Sequence, residues 1–106
     1  RKHWLKHTLK SSGTVLIDVG AVSALNNKGA SLLPSGIADV AGSFKVGDCI
    51  DIYDVKNGQH SAKGISQYNT HDLKRIKGCK SAEINALLGY CPSKVVIHRD
   101  DMVMLK

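Results

Sequence analysis

The apolar residues of this chain fall in short runs that glycine-containing turns interrupt, which predicts a domain built from several short strands. Residues 14–18 contain a continuous apolar run that suits a strand buried on both faces. Residues 46–53 alternate instead, so Ile50 and Ile52 are expected on a core face. No run approaches the roughly 18 apolar residues of a membrane span. The solvent-facing side of the alternating strand is expected to carry Cys49, Asp51 and Tyr53.

Turn residues divide the remaining chain into strands. Asn57-Gly58 is the strongest hairpin signal in the sequence. Residues 31–36, with Pro34 and Gly36 around two leucines, predict a structured turn. The predicted strands are residues 14–18, 37–40, 46–53, 61–68, 94–99 and 102–105.

Three short helices are predicted between these strands, because apolar residues recur there at helical spacing between capping residues. An N-cap side chain accepts a hydrogen bond from the first helical turn, and glycine ends a helix in the left-handed conformation. The expected N-cap residues are Asp18, Thr70 and Ser81, and the expected helix-ending glycines are Gly29, Gly78 and Gly89.

These elements predict a compact, barrel-like fold of the α+β class, mainly β with small helices. The 106 residues leave room for one core. Residues 1–13 are polar and basic and predict a linker, whereas residues 14–106 predict the domain. Trp4 and Leu5 are the apolar exceptions in the linker, and they are candidates for docking onto a neighbouring part of the protein.

The net charge of +6 raises the question of nucleic-acid binding. Four of the basic residues lie in the linker, which contains no acidic residue. The rest of the chain contains 11 basic and 9 acidic residues. The body of the domain is therefore close to neutral, which favours solvated charges over a nucleic-acid face. The linker cations are Arg1, Lys2, Lys6 and Lys10, and the other dense cluster is Lys74, Arg75, Lys77 and Lys80.

The three cysteines, Cys49, Cys79 and Cys91, have no CxxC spacing. An odd number without that spacing argues against a disulfide framework and against a zinc site. We therefore expect reduced thiols in a cytoplasmic protein.

No catalytic constellation can be assembled from the sequence. His98-Arg99-Asp100 copies the catalytic-loop string of protein kinases, but that motif also needs an asparagine where this chain has Leu105. The string is expected to end a strand, and neither a metal site nor a catalytic residue is expected in this chain.

Six strings follow one another along the chain: Asp18-Val19-Gly20-Ala21, residues 28–37, residues 42–48, Ala62-Lys63-Gly64-Ile65, Leu88-Gly89-Tyr90 and residues 96–103. Together, in this order, they resemble the PUA domain that follows the kinase domain of glutamate 5-kinase, and the resemblance covers about residues 13–105. The general PUA pattern is Gly47-Asp48 at a strand start and the later Ala62-Lys63-Gly64. The strings at residues 31–36 and 97–100 match the kinase branch more narrowly.

The resemblance implies a PUA-type pseudo-barrel of about six strands. It also implies a parent enzyme that phosphorylates the γ-carboxylate of L-glutamate with ATP, the first step of proline biosynthesis. The kinase domain, which would bind ATP and Mg²⁺, is expected before Arg1, so no cofactor is expected in this chain.

Two hypotheses for the domain remain open. In the first, it is a regulatory and assembly module that contacts its own kinase domain or other subunits and tunes the response to proline. In the second, it binds RNA, because in other PUA proteins the first helix and the glycine-containing segment after it contact RNA. The RNA-binding candidates are Lys28, Gly29, Ala30, Ser31, Pro34, Ser35, Gly36, Lys74, Arg75, Lys77 and Arg99.

Overall fold

A computed structural model describes residues 11–104, except for the side chain of Lys28. The linker residues Trp4 and Leu5, the four linker cations and Leu105 lie outside the described residues. The strands are β1 (Gly13–Ile17), β2 (Ile37–Gly42), β3 (Cys49–Asp54), β4 (His60–Ile65) and β5 (Met102–Met104). The helices are α1 (Val19–Lys28), α2 (Thr70–Ile76) and α3 (Ile84–Leu88), and 3-10 turns cover Pro34–Gly36, Ser81–Glu83 and Arg99–Asp101.

The five strands form one mixed sheet in the order β2-β1-β3-β4-β5. β1 pairs in parallel with β3, and the other neighbouring pairs are antiparallel. The parallel pairing needs a crossover, which α1, the Pro34–Gly36 turn and β2 supply. The fold is therefore mainly β with small helices, as the sequence predicts.

The core lies on one face of this sheet. Val15 and Ile17 from β1 and Ile50 and Ile52 from β3 are fully buried there, because successive side chains of a strand point to opposite faces. The helices and loops cover this face with further buried side chains, namely Leu25, Leu32, Phe44, Tyr68, Leu73, Ile76, Ile84, Val96 and Ile97.

The opposite face of β3 differs from expectation at one position. Asp51 and Tyr53 are partly exposed, as predicted, but Cys49 is buried with 4% of its surface exposed. Ile65 lies opposite Cys49 in β4, and the N–H of Ser12 donates to the Cys49 carbonyl at 2.8 Å. The prediction of a solvent-facing Cys49 was wrong, because the cross-strand partner and the approach to β1 enclose this end of the strand.

The predicted strand over residues 94–99 was also wrong. Only Ile97 makes a β-type pair there, an isolated antiparallel bridge with Leu32 that adds a single pairing beyond the five strands. The Val96 carbonyl accepts from Gln67 and its N–H donates to Leu32, so consecutive backbone groups bond to different segments and no ladder forms.

Two predicted strand ends differ from the structure by three residues, and two predicted helix caps were wrong. Residues 45–48 form a turn before β3, since the Lys45 N–H donates to the Asp48 carboxylate at 2.9 Å. β4 spans residues 60–65 instead of 61–68.

Thr70 does not cap α2: Asn69 accepts from the Asp72 N–H at 2.8 Å, while the Thr70 hydroxyl accepts from the Phe44 N–H. Ser81 does not cap its helix either, because its hydroxyl donates to the Lys94 carbonyl.

The helices are short. The longest that the structure describes, α1, has 10 residues. Within residues 11–104, none is long and apolar enough to span a lipid bilayer.

Candidate interaction surface around the first helix

α1 and the loop after it carry most of the predicted site residues. The Asp18 carboxylate accepts a hydrogen bond from the Ala21 N–H at 2.8 Å and fixes the start of the helix, as predicted. Gly29 ends it in the left-handed conformation, with φ of +60°. The N–H groups of Gly29 and Ala30 both donate to the Ala24 carbonyl. These two backbone donors of the predicted RNA-binding segment thus form hydrogen bonds within the helix end.

The loop from Ala30 to Gly36 is held against the core at alternate positions. Leu32 is buried, and its N–H donates to the Ile97 carbonyl at 2.9 Å. Pro34 is buried as well, whereas Leu33 is 44% exposed. Gly36 packs so closely on α1 that an added Cβ would lie 2.6 Å from the Ala21 Cβ. Leu32, Pro34 and Gly36 therefore have structural roles, and Leu33 faces solvent.

A cavity of about 280 Å³ lies between α1 and this loop. Its walls are mostly apolar, and Asp18 is the charged residue among those that line it. Leu33 lines the cavity and is exposed, and Val19, beside Asp18 in the chain, is 57% exposed. The remaining lining residues are Gly20, Ala21, Ala24, Leu25, Ala30, Ser31, Leu32, Ser35 and Gly36.

A second cleft of about 320 Å³ brings Arg99 to the end of α1. Gly29, Ala30 and Arg99 line it together. The Arg99 N–H donates to the Ser31 hydroxyl at 2.9 Å, which ties the Arg99–Asp101 turn to the loop after α1. Arg99 lies far from Gly29 in sequence, so the fold itself brings these predicted site residues into one surface. Lys28 is the last residue of α1, but its side chain is not described.

The other predicted cluster, on and just after α2, lines neither of these cavities. The Arg75 guanidinium donates to the Leu87 carbonyl at 2.7 Å. The Lys77 ammonium donates to the Asp39 carboxylate at 3.0 Å and, with the Val40 N–H, holds the pKa of Asp39 below its usual value. Lys74 is exposed. Of the three RNA-binding candidates in this cluster, Arg75 and Lys77 are thus used in contacts within the domain.

Residues that could serve chemistry are dispersed. Within residues 11–104, no group of three His, Cys, Asp or Glu side chains is arranged to hold a metal ion. The three cysteines are free thiols, and burial raises the pKa of Cys49. In the His98-Arg99-Asp100 string, His98 Nδ1 accepts from the Asp100 N–H at 3.2 Å, a cap of the 3-10 turn.

One polar cluster was not singled out from the sequence. Tyr53 and His60 stack with ring centroids 4.6 Å apart, and His60 Nε2 lies 3.0 Å from Asp51 Oδ1. The alternation in β3 placed Asp51 and Tyr53 on one face, and the Asn57-Gly58 hairpin brings His60 back beside them. The sequence alternation indicated the face on which Asp51 and Tyr53 lie, but it did not give the strand register that places His60 beside Tyr53.

Comparison with known families decides which fold family this is. The family model described as the PUA domain matches residues 13–88. The chain belongs to the PUA domain family. A crystal structure of a PUA domain from Aeropyrum pernix K1, solved as a tartrate complex, superposes with a TM-score of 0.59 at 25% identity and covers 82% of this chain and 41% of that one.

Among full-length proteins, this PUA domain is similar to glutamate 5-kinases. The enzyme of Idiomarina loihiensis is 47% identical over 106 residues, which are all of this chain and 29% of the enzyme. The enzyme of Xanthomonas euvesicatoria pv. vesicatoria is 48% identical over 107 residues, 99% of this chain and 30% of the enzyme. The enzyme of Salinibacter ruber is 48% identical over 106 residues, 98% of this chain and 28% of the enzyme. The PUA domain thus spans under a third of the length of these relatives.

Proposed function

We propose that this PUA domain is the non-catalytic C-terminal module of a cytoplasmic glutamate 5-kinase and that it acts through protein contacts. Its similarity to glutamate 5-kinases supports this parent. The parent would phosphorylate L-glutamate in proline biosynthesis, and its kinase domain would hold ATP and Mg²⁺. The PUA domain would contact that kinase domain or other subunits and so tune assembly and the response to proline.

The observation that carries this proposal is the apolar cavity beside α1. Exposed apolar side chains such as Leu33 and Val19 favour contact with another apolar surface, because water is released from both. Asp18 puts a negative charge at the same place, which suits a protein surface better than a nucleic-acid phosphate. The surface around the cavity therefore fits a protein partner.

The test uses the full-length enzyme and three variants. Deletion of residues 14–106 and the substitution Leu33→Asp are each expected to change the oligomeric mass or the inhibition by proline. Val46→Asp is the matched control, since Val46 is 59% exposed and lies in the turn before β3, outside the cavity lining. If deletion of the domain changes neither the mass nor the inhibition, the protein-contact function is refuted.

The second cleft favours an alternative, an RNA-binding module. Arg99, Gly29 and Ala30, three of the predicted RNA-binding residues, line this one cleft, which supports the RNA hypothesis. Asp100 lines the same cleft and reduces its positive charge, which is why we rank this function second.

Structured RNA should then bind with an affinity that falls steeply as salt rises, because phosphate contacts release counterions. Arg99→Gln should weaken binding. It should also reduce the slope of log affinity against log salt concentration by about one, the value for one lost phosphate contact. Lys56→Gln, in the exposed hairpin turn, is the control that should not change it. Absence of binding at low salt would eliminate this alternative.

A further inference from the structure

The strand β2 forms one edge of the sheet, with β1 as its neighbour on the inner side. Among the described strands, none pairs with the outer side of β2. Such an edge presents backbone N–H and C=O groups that a strand of another molecule can bind. Four of the six residues of β2 are exposed, so solvent reaches this edge. They are Ala38, Asp39, Ala41 and Gly42.

The backbone of Val40 points to the outer side of β2. The Ile17 carbonyl accepts from the Val55 N–H next to β3, so the preceding residue, Leu16, directs its backbone groups toward β2. Leu16 lies opposite Asp39, whose backbone groups therefore point back to β1. The next residue of β2, Val40, then points away from the sheet. Its N–H is accordingly a donor on the open edge.

Asp39 occupies this outward donor with its own side chain. The Val40 N–H donates to Asp39 Oδ1 at 2.8 Å. Lys77, in the segment after α2, donates its ammonium to the same oxygen at 3.0 Å. These hydrogen bonds, from Lys77 and then from Val40, hold the pKa of Asp39 below its usual value. The edge thus carries a carboxylate on its exposed donor and a lysine beside it, and charged side chains at a sheet edge discourage strand addition.

We propose that Asp39 and Lys77 protect the β2 edge and prevent it from pairing with a second copy of the domain. A strand that approached would have to displace the carboxylate from the Val40 N–H and remove charged groups from water. Two copies related by a two-fold axis present the same edge to each other, so they could pair antiparallel. Val40 would then lie opposite the second copy's Val40, and the two residues would exchange two N–H···O=C hydrogen bonds.

The protected edge is separate from the cavity beside α1. The residues that line this cavity end at Gly36, before β2 begins at Ile37. Loss of the edge protection would therefore add a new contact between copies and would leave the proposed protein-contact surface at α1 unchanged. The two ideas can fail separately.

The test measures the oligomeric mass of the chain of residues 1–106 and its variants by sedimentation equilibrium. Asp39→Thr removes the carboxylate and frees the Val40 N–H, while threonine suits an exposed strand position. The dimer dissociation constant should fall roughly tenfold or more, because pairing of the wild type must break this hydrogen bond in both copies. Addition of Lys77→Met to Asp39→Thr should strengthen the dimer further, since it removes the remaining charge beside the edge.

Ala41→Thr is the matched control. Ala41 is also exposed in β2, but it lies opposite Thr14 with its backbone toward β1, and its replacement leaves Asp39 in place. Its mass should equal that of the wild type. Isotope-filtered NOEs between labelled and unlabelled copies of Asp39→Thr then locate the contact, and they should connect residues 38–42 of one copy with residues 38–42 of the other.

Four results would overturn the edge protection. The first is a folded Asp39→Thr variant with the mass and dissociation constant of the wild type. The second is dimerisation of Ala41→Thr as strong as that of Asp39→Thr, which would assign the effect to strand propensity. The third is a dimer whose NOEs lie outside β2, and the fourth is a wild-type chain already paired through β2. Asp39→Ala removes the same acceptor without a branched side chain, so it decides the matter if circular dichroism shows that Asp39→Thr does not fold.

Discussion

Gly64 in β4 packs directly against Ile97, and an added Cβ at residue 64 would lie 2.7 Å from Ile97 Cγ2. The same Cβ would approach the Asp101 carbonyl oxygen to 2.9 Å. Ile97 and Asp101, which precede β5, therefore pack on β4 at a position where a hydrogen atom alone fits. The Ala62-Lys63-Gly64 string owes its glycine to this contact.

Replacement of Gly64 should thus destabilise the domain. We expect Gly64→Ala to lower the free energy of unfolding by about 1–3 kcal/mol, the usual cost of forcing a methyl group into a packed core. The measurement is urea denaturation. Gly20→Ala is the matched control: Gly20 lies in the first turn of α1, where an added Cβ meets nothing closer than 3.4 Å, so this substitution should not lower the stability. Equal stabilities for Gly64→Ala and the wild type would contradict the packing described.

The cap of α1 gives a second prediction. Asp18→Ala removes the acceptor of the Ala21 N–H and should cost about 1 kcal/mol of stability, whereas Asp18→Ser should retain most of it. Thermal or urea denaturation measures both. Ser23→Ala, at an exposed position inside the same helix, serves as the control and should change stability little. If Asp18→Ala were as stable as the wild type, the loop after α1, and not the Asp18 cap, would fix the helix start.

The Lys77–Asp39 pair predicts an acid-dependent effect. The hydrogen bond from Lys77 is the main reason that the pKa of Asp39 lies below its usual value of 3.8. A lowered folded-state pKa contributes stability above the unfolded value, and this contribution is lost as the pH falls through the folded value. In Lys77→Met, the pKa of Asp39 should rise toward 3.8, as followed by NMR of its carboxyl carbon. Lys74→Met should change it less, and an unchanged pKa in Lys77→Met would exclude the pairing in solution.

Tyr90 gives a fourth prediction at alkaline pH. Its hydroxyl donates to Asp72 Oδ2, and this hydrogen bond is the main cause that raises the pKa of Tyr90 above 10.0. Asp72→Asn removes the negative charge, so Tyr90 should ionise at a lower pH. NMR titration of the ring carbon that carries the hydroxyl reports on Tyr90 alone. Asp48→Asn, in the turn before β3, should leave the pKa of Tyr90 unchanged. An unchanged pKa of Tyr90 in Asp72→Asn would refute the hydrogen bond between Tyr90 and Asp72.

Local signals predicted much of the fold. Asp18 and Gly29 define α1 through their own chemistry, and Asn57-Gly58 marks a hairpin because the turn needs a positive φ, which Gly58 adopts at +71°. The mainly β class follows from the short apolar runs. These features depend on residues close in sequence, so the sequence contains the information needed to predict them.

The errors arise where a distant residue competes for a local group. Thr70 resembles an N-cap, but its hydroxyl bonds to Phe44, 26 residues away, and Asn69 caps the helix instead. Residues 94–99 have strand composition, but their backbone groups bond to Leu32 and Gln67.

At the candidate surface, too, the local features were predictable and the contacts between distant residues were not. The sequence identified the loop after α1, and only the fold shows that Arg99 joins it and that Lys77 is paired elsewhere.

The position of β1 between β2 and β3 has a consequence for biosynthesis. As the ribosome releases the chain from its amino end, β1 emerges first, yet β3, with which it pairs in parallel, begins only at Cys49. One edge of β1 therefore stays unpaired until β3 has been made, when about half of the domain has been translated.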